Sequence, residues 1–377
     1  MSPDLTPRFG IELSDNQRLA WLRLIRSENI GPITFIELIK RFGTASRALE
    51  ALPDLTARSR GKSVRIASHS EAEAELSRIQ SIGARLVCLG EPDYPLALRA
   101  VEASPPVLTV LGSTEILSRN TIAFVGSRNA SLAGIKLTRK LAAEIGAAGY
   151  ATASGLARGI DAAAHEATIA TGTIAVFAGG VDHIYPQENR GLAQNIAEGG
   201  GAIITEMPFG WQPRAQDFPR RNRIVAGLSL GLVVVEAARR SGSLISARLA
   251  NEMGRLVFAV PGSPLDPRSE GANLLIQQGA QLVTCAEDIQ QSVNPLTRGT
   301  EQTGYSLEDD AIHPPINDEP DNSDRAKVVA ALDHTPVYID EIIRHTKVDA
   351  AKVQMIILEL DLAGKIERHA GTRISLL

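Results

Sequence analysis

The 377 residues carry 39 lysines and arginines against 43 acids, a formal net charge of −4 that argues against a nucleic-acid partner until its distribution is considered. Hydrophobic residues make up 44% of the chain, enough for a sizeable core in two or three domains, and two cysteines, Cys88 and Cys285, exclude a disulfide framework. The opening MSPDLTPRFG has no signal core and no apolar run has membrane length, so a soluble, cytoplasmic protein without a membrane partner is expected.

Residues 1–62 read as a small helical domain. Leu19, Leu22, Leu24 and Ile25 precede a break at Asn29-Ile30-Gly31-Pro32, and Phe35, Leu38, Ile39 and Phe42 follow at helical spacing. Two short helices around such a turn resemble a helix-hairpin-helix module, whose backbone N–H groups hold a DNA phosphate. A simple packing domain fits as well, because no basic cluster surrounds the turn. After a polar stretch at 63–80, the run ARLVCL at 84–89 predicts a strand, and Tyr94-Pro95 and Pro105-Pro106 fix turns as the chain enters the main domain, assigned to 63–289.

That domain is organised around TIAFVGSR at 121–128, an apolar strand that stops at Gly126-Ser127-Arg128. A glycine, a hydroxyl and a guanidinium at a strand's carboxyl end suit a phosphate, with the free N–H groups of the next helix pointing there. A single such turn reads equally as a connection with a solvated arginine. The event recurs, however: Gly155-Leu-Ala-Arg158-Gly159 follows the run ending at Ser154, Gly179-Gly180 follows 173–178, Ser241-Gly242-Ser243 follows 232–237, and Pro261-Gly262 follows 256–260. Apolar run, Gly/Ser turn and helix in alternation predict βαβ units with all the turns on one edge of a parallel sheet. In the same region Arg214, Arg220, Arg221 and Arg223 fall within ten residues, opposed only by Asp217.

Residues 290–324 hold eight acids and one base, so the remainder of the chain carries +3; this stretch reads as an acidic disordered linker. From 325 to 377, three helical patterns and a hairpin predict a winged helix. Its presumptive recognition helix, 349–365, has a net charge of −1, from Lys352 and Lys365 against Asp349, Glu359 and Asp361. A protein-contact or regulatory module is therefore expected, with Arg344, Lys347, Arg368 and Arg373 as weak phosphate contacts at most.

Several catalytic motifs fail. Asn129-Ala130-Ser131 replaces the later glycines of a dinucleotide fingerprint, and Gly61-Lys62-Ser63 lacks the first glycine and the strand of a P-loop. Gly227-Leu-Ser229-Leu-Gly231 has its strand after the serine instead of before it. The histidines lack ligand spacing, so neither cofactor nor metal is expected. Asp161 and His165, four apart on one helix, suit an acid/base pair, but a structural role is favoured in which Asp161 ties down the preceding turn and His165 packs.

In order, GSR at 126–128, SGLARGID at 154–161, FPRRNRIVAGLS at 218–229, VVEA at 234–237, SGSLISARLA at 241–250 and FAVPG at 258–262 closely resemble the DNA-processing protein A family (DprA, also called Smf). The resemblance implies an α/β fold with an extended Rossmann-like parallel sheet, flanked here by the helical domain and the winged helix. It also implies a homodimer that binds single-stranded DNA and loads the RecA recombinase in natural transformation, without being an enzyme. The expected site joins Gly126, Ser127 and Arg128, which the resemblance makes phosphate ligands, to Ser154, Gly155, Arg158 and Gly159. Phe218, Arg220, Arg221, Asn222 and Arg223 of the FPRRNR motif and Ser241, Gly242 and Ser243 complete it, with Phe218 as the candidate base platform. Two alternatives stand beside this one: a ligand-sensing transcription regulator, suggested by the C-terminal region, and a nucleotide N-glycosidase on a related sheet. The equivalent of the glycosidase's Glu-bearing run, 241–248, has no acid, but Glu206 and Glu236 lie near strand ends.

Overall fold

A computed structural model of the chain describes residues 10–58, 64–297, 319–369 and 371–377. The Gly61-Lys62-Ser63 run lies outside them. Local caps set the first helices. α1 (Asp15–Arg26) begins at a capping box between Ser14 and Gln17, α2 (Pro32–Phe42) begins with a proline, and α3 (Ala45–Arg58) follows. α4 (His69–Ser81) falls within the polar stretch at 63–80, where no apolar period announces it. Its signal is a second capping box, in which Ser68 Oγ accepts from the N–H of Glu71 while the Glu71 carboxylate accepts from the N–H of Ser68.

The sheet unit takes in β1 (Arg85–Cys88), α5 (Leu96–Arg99), β2 (Val107–Gly112), β3 (Thr121–Val125), α6 (Leu132–Ala147), β4 (Ala151–Ser154), α7 (Ile160–Thr168) and β5 (Thr173–Val176). It continues through α8 (Arg190–Glu198), β6 (Ala202–Thr205), α9 (Asp217–Gly227), β7 (Gly231–Val234), α10 (Gly242–Glu252), β8 (Leu256–Ala259), α11 (Glu270–Gln277), β9 (Gln281–Leu282) and α12 (Ala286–Thr297). The strand order is β1-β2-β6-β5-β4-β3-β7-β8-β9. From β6 to β9 every pair is parallel, whereas β2 pairs antiparallel with both β1 and β6. The order reverses between β3 and β7, so the crevice at their carboxyl ends is the topological switch point.

Strands buried on both faces are continuous apolar runs, which is why β3, β4, β5, β7 and β8 are legible in the sequence. Three of these runs leave the sheet early, at Val176, Val234 and Ala259. One face packs Ile122, Phe124, Leu141, Ile145 and Val233 with Ile289 and Val293 of α12, and the other packs Leu156, Phe177, Ile196 and Ile203.

Both ends of the expected linker at 290–324 are helical. Residues 290–297 complete α12, and α13 (Asn322–Ala330) begins before 324; the part at 298–318 lies outside the described residues. The chain forms two compact units, one holding residues 75–305 and the other holding Leu13–Ala74 together with the C-terminal residues. In this second unit β10 (Val337–Tyr338), α14 (Ile339–Thr346), α15 (Ala350–Leu362), β11 (Ile366–His369) and β12 (Arg373–Leu376) follow α13. The three strands form an antiparallel sheet in the order β10-β12-β11, and the core is Val328, Ile342, Val353, Ile356, Ile357 and Ile374. That is a winged helix.

α15 packs against α2 and α3. The Asn29 amide donates to Leu362 O at 2.9 Å and the Thr34 hydroxyl to Asp361 at 2.7 Å. The hairpin turn that resembles a phosphate holder therefore spends its asparagine on the winged helix. Arg368 lies between Glu37 at 2.7 Å and Asp361 at 2.8 Å, so it is not a phosphate contact in this arrangement. Burial pushes the Glu37 pKa up, while the Arg368 charge and its hydrogen bonds pull it down.

Candidate functional site

The turns after β3 and β4 are built around one buried guanidinium. Arg221 sits on the inner face of α9, 6% exposed, and its Nη1 donates to Val176 O at 2.6 Å. The guanidinium occupies the space a β-carbon at 155 would take, so Gly155 leaves room for it to seat. Burial, opposed by the Asp161 carboxylate and helped by the charge of Arg128, lowers the Arg221 pKa to about 10.

Asp161 has the role expected of it. Its Oδ2 accepts from the N–H groups of Gly155 at 3.1 Å and Ala157 at 3.3 Å, tying the loop to α7. Burial raises its pKa, against the opposing influence of Arg221 and these hydrogen bonds. His165, fully buried, has its Nδ1 2.7 Å from the Thr173 hydroxyl, and burial lowers its pKa to about 3, which keeps it neutral. Neither residue faces solvent, so they are not an acid/base pair at a surface site.

The loop between β4 and α7 is strained as well as tethered. Leu156 is fully buried at φ +56° and Gly159 has φ +77°, with the Ser127 carbonyl where a β-carbon at 159 would go. Ser127 O also accepts from the N–H of Ile160, and Gly126 lies against the Ile160 side chain. The GSR and SGLARGID motifs are thus one packed object, held at the switch point by contacts among themselves.

Several of the N–H groups expected to make an anion-binding crest are already occupied. At the start of α6, Glu236 from the end of β7 accepts from the Ser131 N–H at 2.9 Å and the Ser131 hydroxyl at 2.5 Å, while Ser131 Oγ accepts from Gly134. A carboxylate of the chain itself therefore sits at the helix terminus where a Rossmann fold binds pyrophosphate. At α10, Ser241 Oγ accepts from the Ser243 N–H, and the two hydroxyls are 2.6 Å apart.

The remaining expected residues divide by exposure. Ser154 is buried, donating its hydroxyl to Phe124 O at 2.6 Å, and Ser243 is buried too, so neither is presented to a ligand. Arg223 is committed to the Ala103 carbonyl and to Glu206, and Asn222 is half-buried. Arg214 stacks on Trp211 with its guanidinium carbon 4.3 Å from the ring centre. Arg128, Arg158 and Arg220 are exposed, as is Gly242. Arg158 meets Glu188 at 3.7 Å, but both side chains are open to water, and such a pair contributes little. The exposed cations of this edge are thus guanidiniums standing above a packed floor.

A depression opens there between Arg128, Arg158 and the aromatic pair Tyr185 and Phe218, with Gly155 and Arg221 below. No sequence signal marks Tyr185, which is 53% exposed in the loop after β5. The acids kept for hydrolysis are both engaged, Glu206 by Arg223 and Glu236 by Ser131, and Ser229 is buried with its hydroxyl on Ala226 O. Among the described residues no group of three or more His, Cys, Asp or Glu side chains is placed to hold a metal, and no helix is long and apolar enough to cross a membrane.

Comparison with known proteins gives three family matches along the chain. Residues 85–294 match the DNA recombination-mediator protein A model, 15–77 a DprA-like N-terminal HHH domain, and 313–372 a DprA winged helix domain. Protein Smf of Escherichia coli is 36% identical over 310 residues, 81% of this chain and 80% of that protein. DNA processing protein DprA of Bacillus subtilis is 43% identical over 217 residues, 57% of this chain and 73% of its own length. Among solved structures, DNA processing protein A of Streptococcus pneumoniae superposes with a TM-score of 0.61 at 33% identity, covering 74% of this chain and 98% of that one. The Helicobacter pylori protein, described for its single-stranded DNA binding mode, does so at 0.52 and 28% identity, covering 56% and 96%.

Proposed function

The chain belongs to the DNA recombination-mediator protein A family, and from that premise we propose that it binds single-stranded DNA along the switch-point edge of its sheet and passes the strand to a RecA-type recombinase. It acts as a homodimer and as a DNA-processing protein, not as an enzyme. The observation that carries this reading is the set of exposed guanidiniums, Arg128, Arg158 and Arg220, on an edge where Arg223 is paired with Glu206 and Arg221 is buried on the Val176 carbonyl. Guanidiniums on flexible stems follow an irregular phosphate backbone, and Arg128 and Arg158 border an open depression. The single-stranded DNA binding described for the Helicobacter pylori relative supports the same ligand.

Anisotropy titration with labelled single strands and duplexes at two salt concentrations tests it. Single strands bind more tightly, and affinity falls as salt rises because released counterions drive association. Arg128→Ala weakens binding similarly for all sequences and lowers the salt slope by about 1, as for one phosphate contact. Equal affinity for single strands and duplexes would refute the proposal.

A further inference from the structure

A free nucleotide carries the same phosphates as a single strand, and the switch point of a parallel sheet is where such small ligands bind. Exposed guanidiniums do not tell the two apart, because they pair with either. In a nucleotide-binding sheet the pyrophosphate sits on the N-terminus of the helix that follows the strand at this point, and its counterpart here is α6 after β3.

That terminus is filled from within the chain. Glu236 follows β7, the parallel neighbour of β3 across the switch point, and it spends both carboxylate oxygens on Ser131: Oε2 accepts from the N–H at 2.9 Å and Oε1 from the hydroxyl at 2.5 Å. Ser131 Oγ accepts in turn from the Gly134 N–H at 2.9 Å. Gly134 is fitted to the acid, since a β-carbon there would lie 2.7 Å from Oε1 and push the carboxylate off the helix end. A second anion arriving at this terminus meets spent donors and a like charge.

We infer that Glu236 sets the specificity of the edge: it closes the α6 terminus to pyrophosphate and nucleotide phosphates and leaves the exposed guanidiniums to a polymer. A strand offers successive phosphates to several of these cations and gains from each, whereas a nucleotide shut out of the helix terminus has only a screened surface contact. The polymer rests on the DNA reading above, but the closure belongs to the fold and is tested without DNA.

The full chain, Glu236→Ala and Glu236→Gln are melted with and without inorganic pyrophosphate, at ionic strength matched with sodium chloride. Pyrophosphate raises the Tm of wild type no more than chloride does and raises that of Glu236→Ala clearly, because a ligand that binds only the folded chain stabilises it. Glu236→Gln keeps the shape without the charge and shows a smaller rise; it decides the matter alone if the alanine variant does not fold. Pyrophosphate also displaces labelled oligothymidylate from Glu236→Ala at about tenfold lower concentration than from wild type. If pyrophosphate stabilises wild type as much as the variants, or stabilises none of them, the closure is overturned, whatever the chain does with DNA. If it stabilises the variants alone and no form binds oligothymidylate, the closure stands, and the DNA reading falls together with the polymer specificity drawn from it.

Discussion

Replacing Arg221 by methionine tests whether the FPRRNR motif is a DNA contact or a keystone. The substitution keeps a flexible apolar stem but removes the guanidinium from the floor of the edge, where it is 6% exposed. Val176 O loses its donor, a cost of about 1–3 kcal/mol for a buried carbonyl left unpaired. Asp161 keeps its two N–H donors but loses the nearby positive charge that opposes the rise of its pKa. We expect a loss in that range, a large share of the roughly 5–15 kcal/mol of a typical fold. Urea unfolding followed by tryptophan fluorescence measures it. The sign of the pH dependence follows from Asp161, whose pKa is raised in the fold: the stability linked to its protonation is full below its unfolded value and lost as pH rises through the folded one. Without Arg221 the folded value rises further, so the gap between variant and wild type is widest at neutral pH and narrows on acidification. A stability change under about 1 kcal/mol, together with a tenfold loss of affinity for single strands, would place Arg221 on the DNA.

Arg221 also shows how far the sequence can be read. On α9 it lies three and four residues before Ile224 and Val225, all three buried, so the helical period already turns it inward while Arg220 faces out. A cluster of four arginines reads as one basic patch only when that period is ignored. The parallel strands are legible because a strand buried on both faces must be apolar throughout. β2 and β6 are equally apolar, but their pairing of Val110 with Ile204 joins positions that no local pattern connects. The same limit hides the Glu236 cap on Ser131, 105 residues away, and the Asn29 contact to Leu362, 333 residues away. Local sequence shows which turns could bind an anion. Whether a turn is still free depends on a distant carboxylate.

His165 provides a prediction with a clear pH window. Its pKa is lowered to about 3 from 6.5, so the stability contributed by its neutral form is present above about 6.5 and lost as pH falls towards 3, with a slope of at most about 1.4 kcal/mol per pH unit. His165→Gln should flatten the difference between acid and neutral urea titrations by that slope; identical slopes would mean the imidazole is solvated. The last prediction concerns where the DNA grip resides. A cut at Asp288 is unsuitable, because Ile289 and Val293 belong to the core of the sheet unit and Asn294 accepts from the Tyr150 hydroxyl. Removing the winged helix alone is unsuitable too: it strips Asn29, Thr34 and Glu37 of Leu362, Asp361 and Arg368 and leaves the packing surface of α2 and α3 uncovered. The informative chain is 64–297, which keeps the whole sheet, α4 and α12 and drops α1, α2, α3 and the winged helix together. Its dissociation constant for single-stranded DNA should stay within about threefold of the full chain, a change below about 1 kcal/mol, because Arg128, Arg158 and Arg220 all remain. A hundredfold loss in a shortened chain that is folded, with the oligomeric state of the full chain, would move the primary grip to the second unit. The hairpin turn at Asn29 would then have to release the winged helix before it could hold a phosphate.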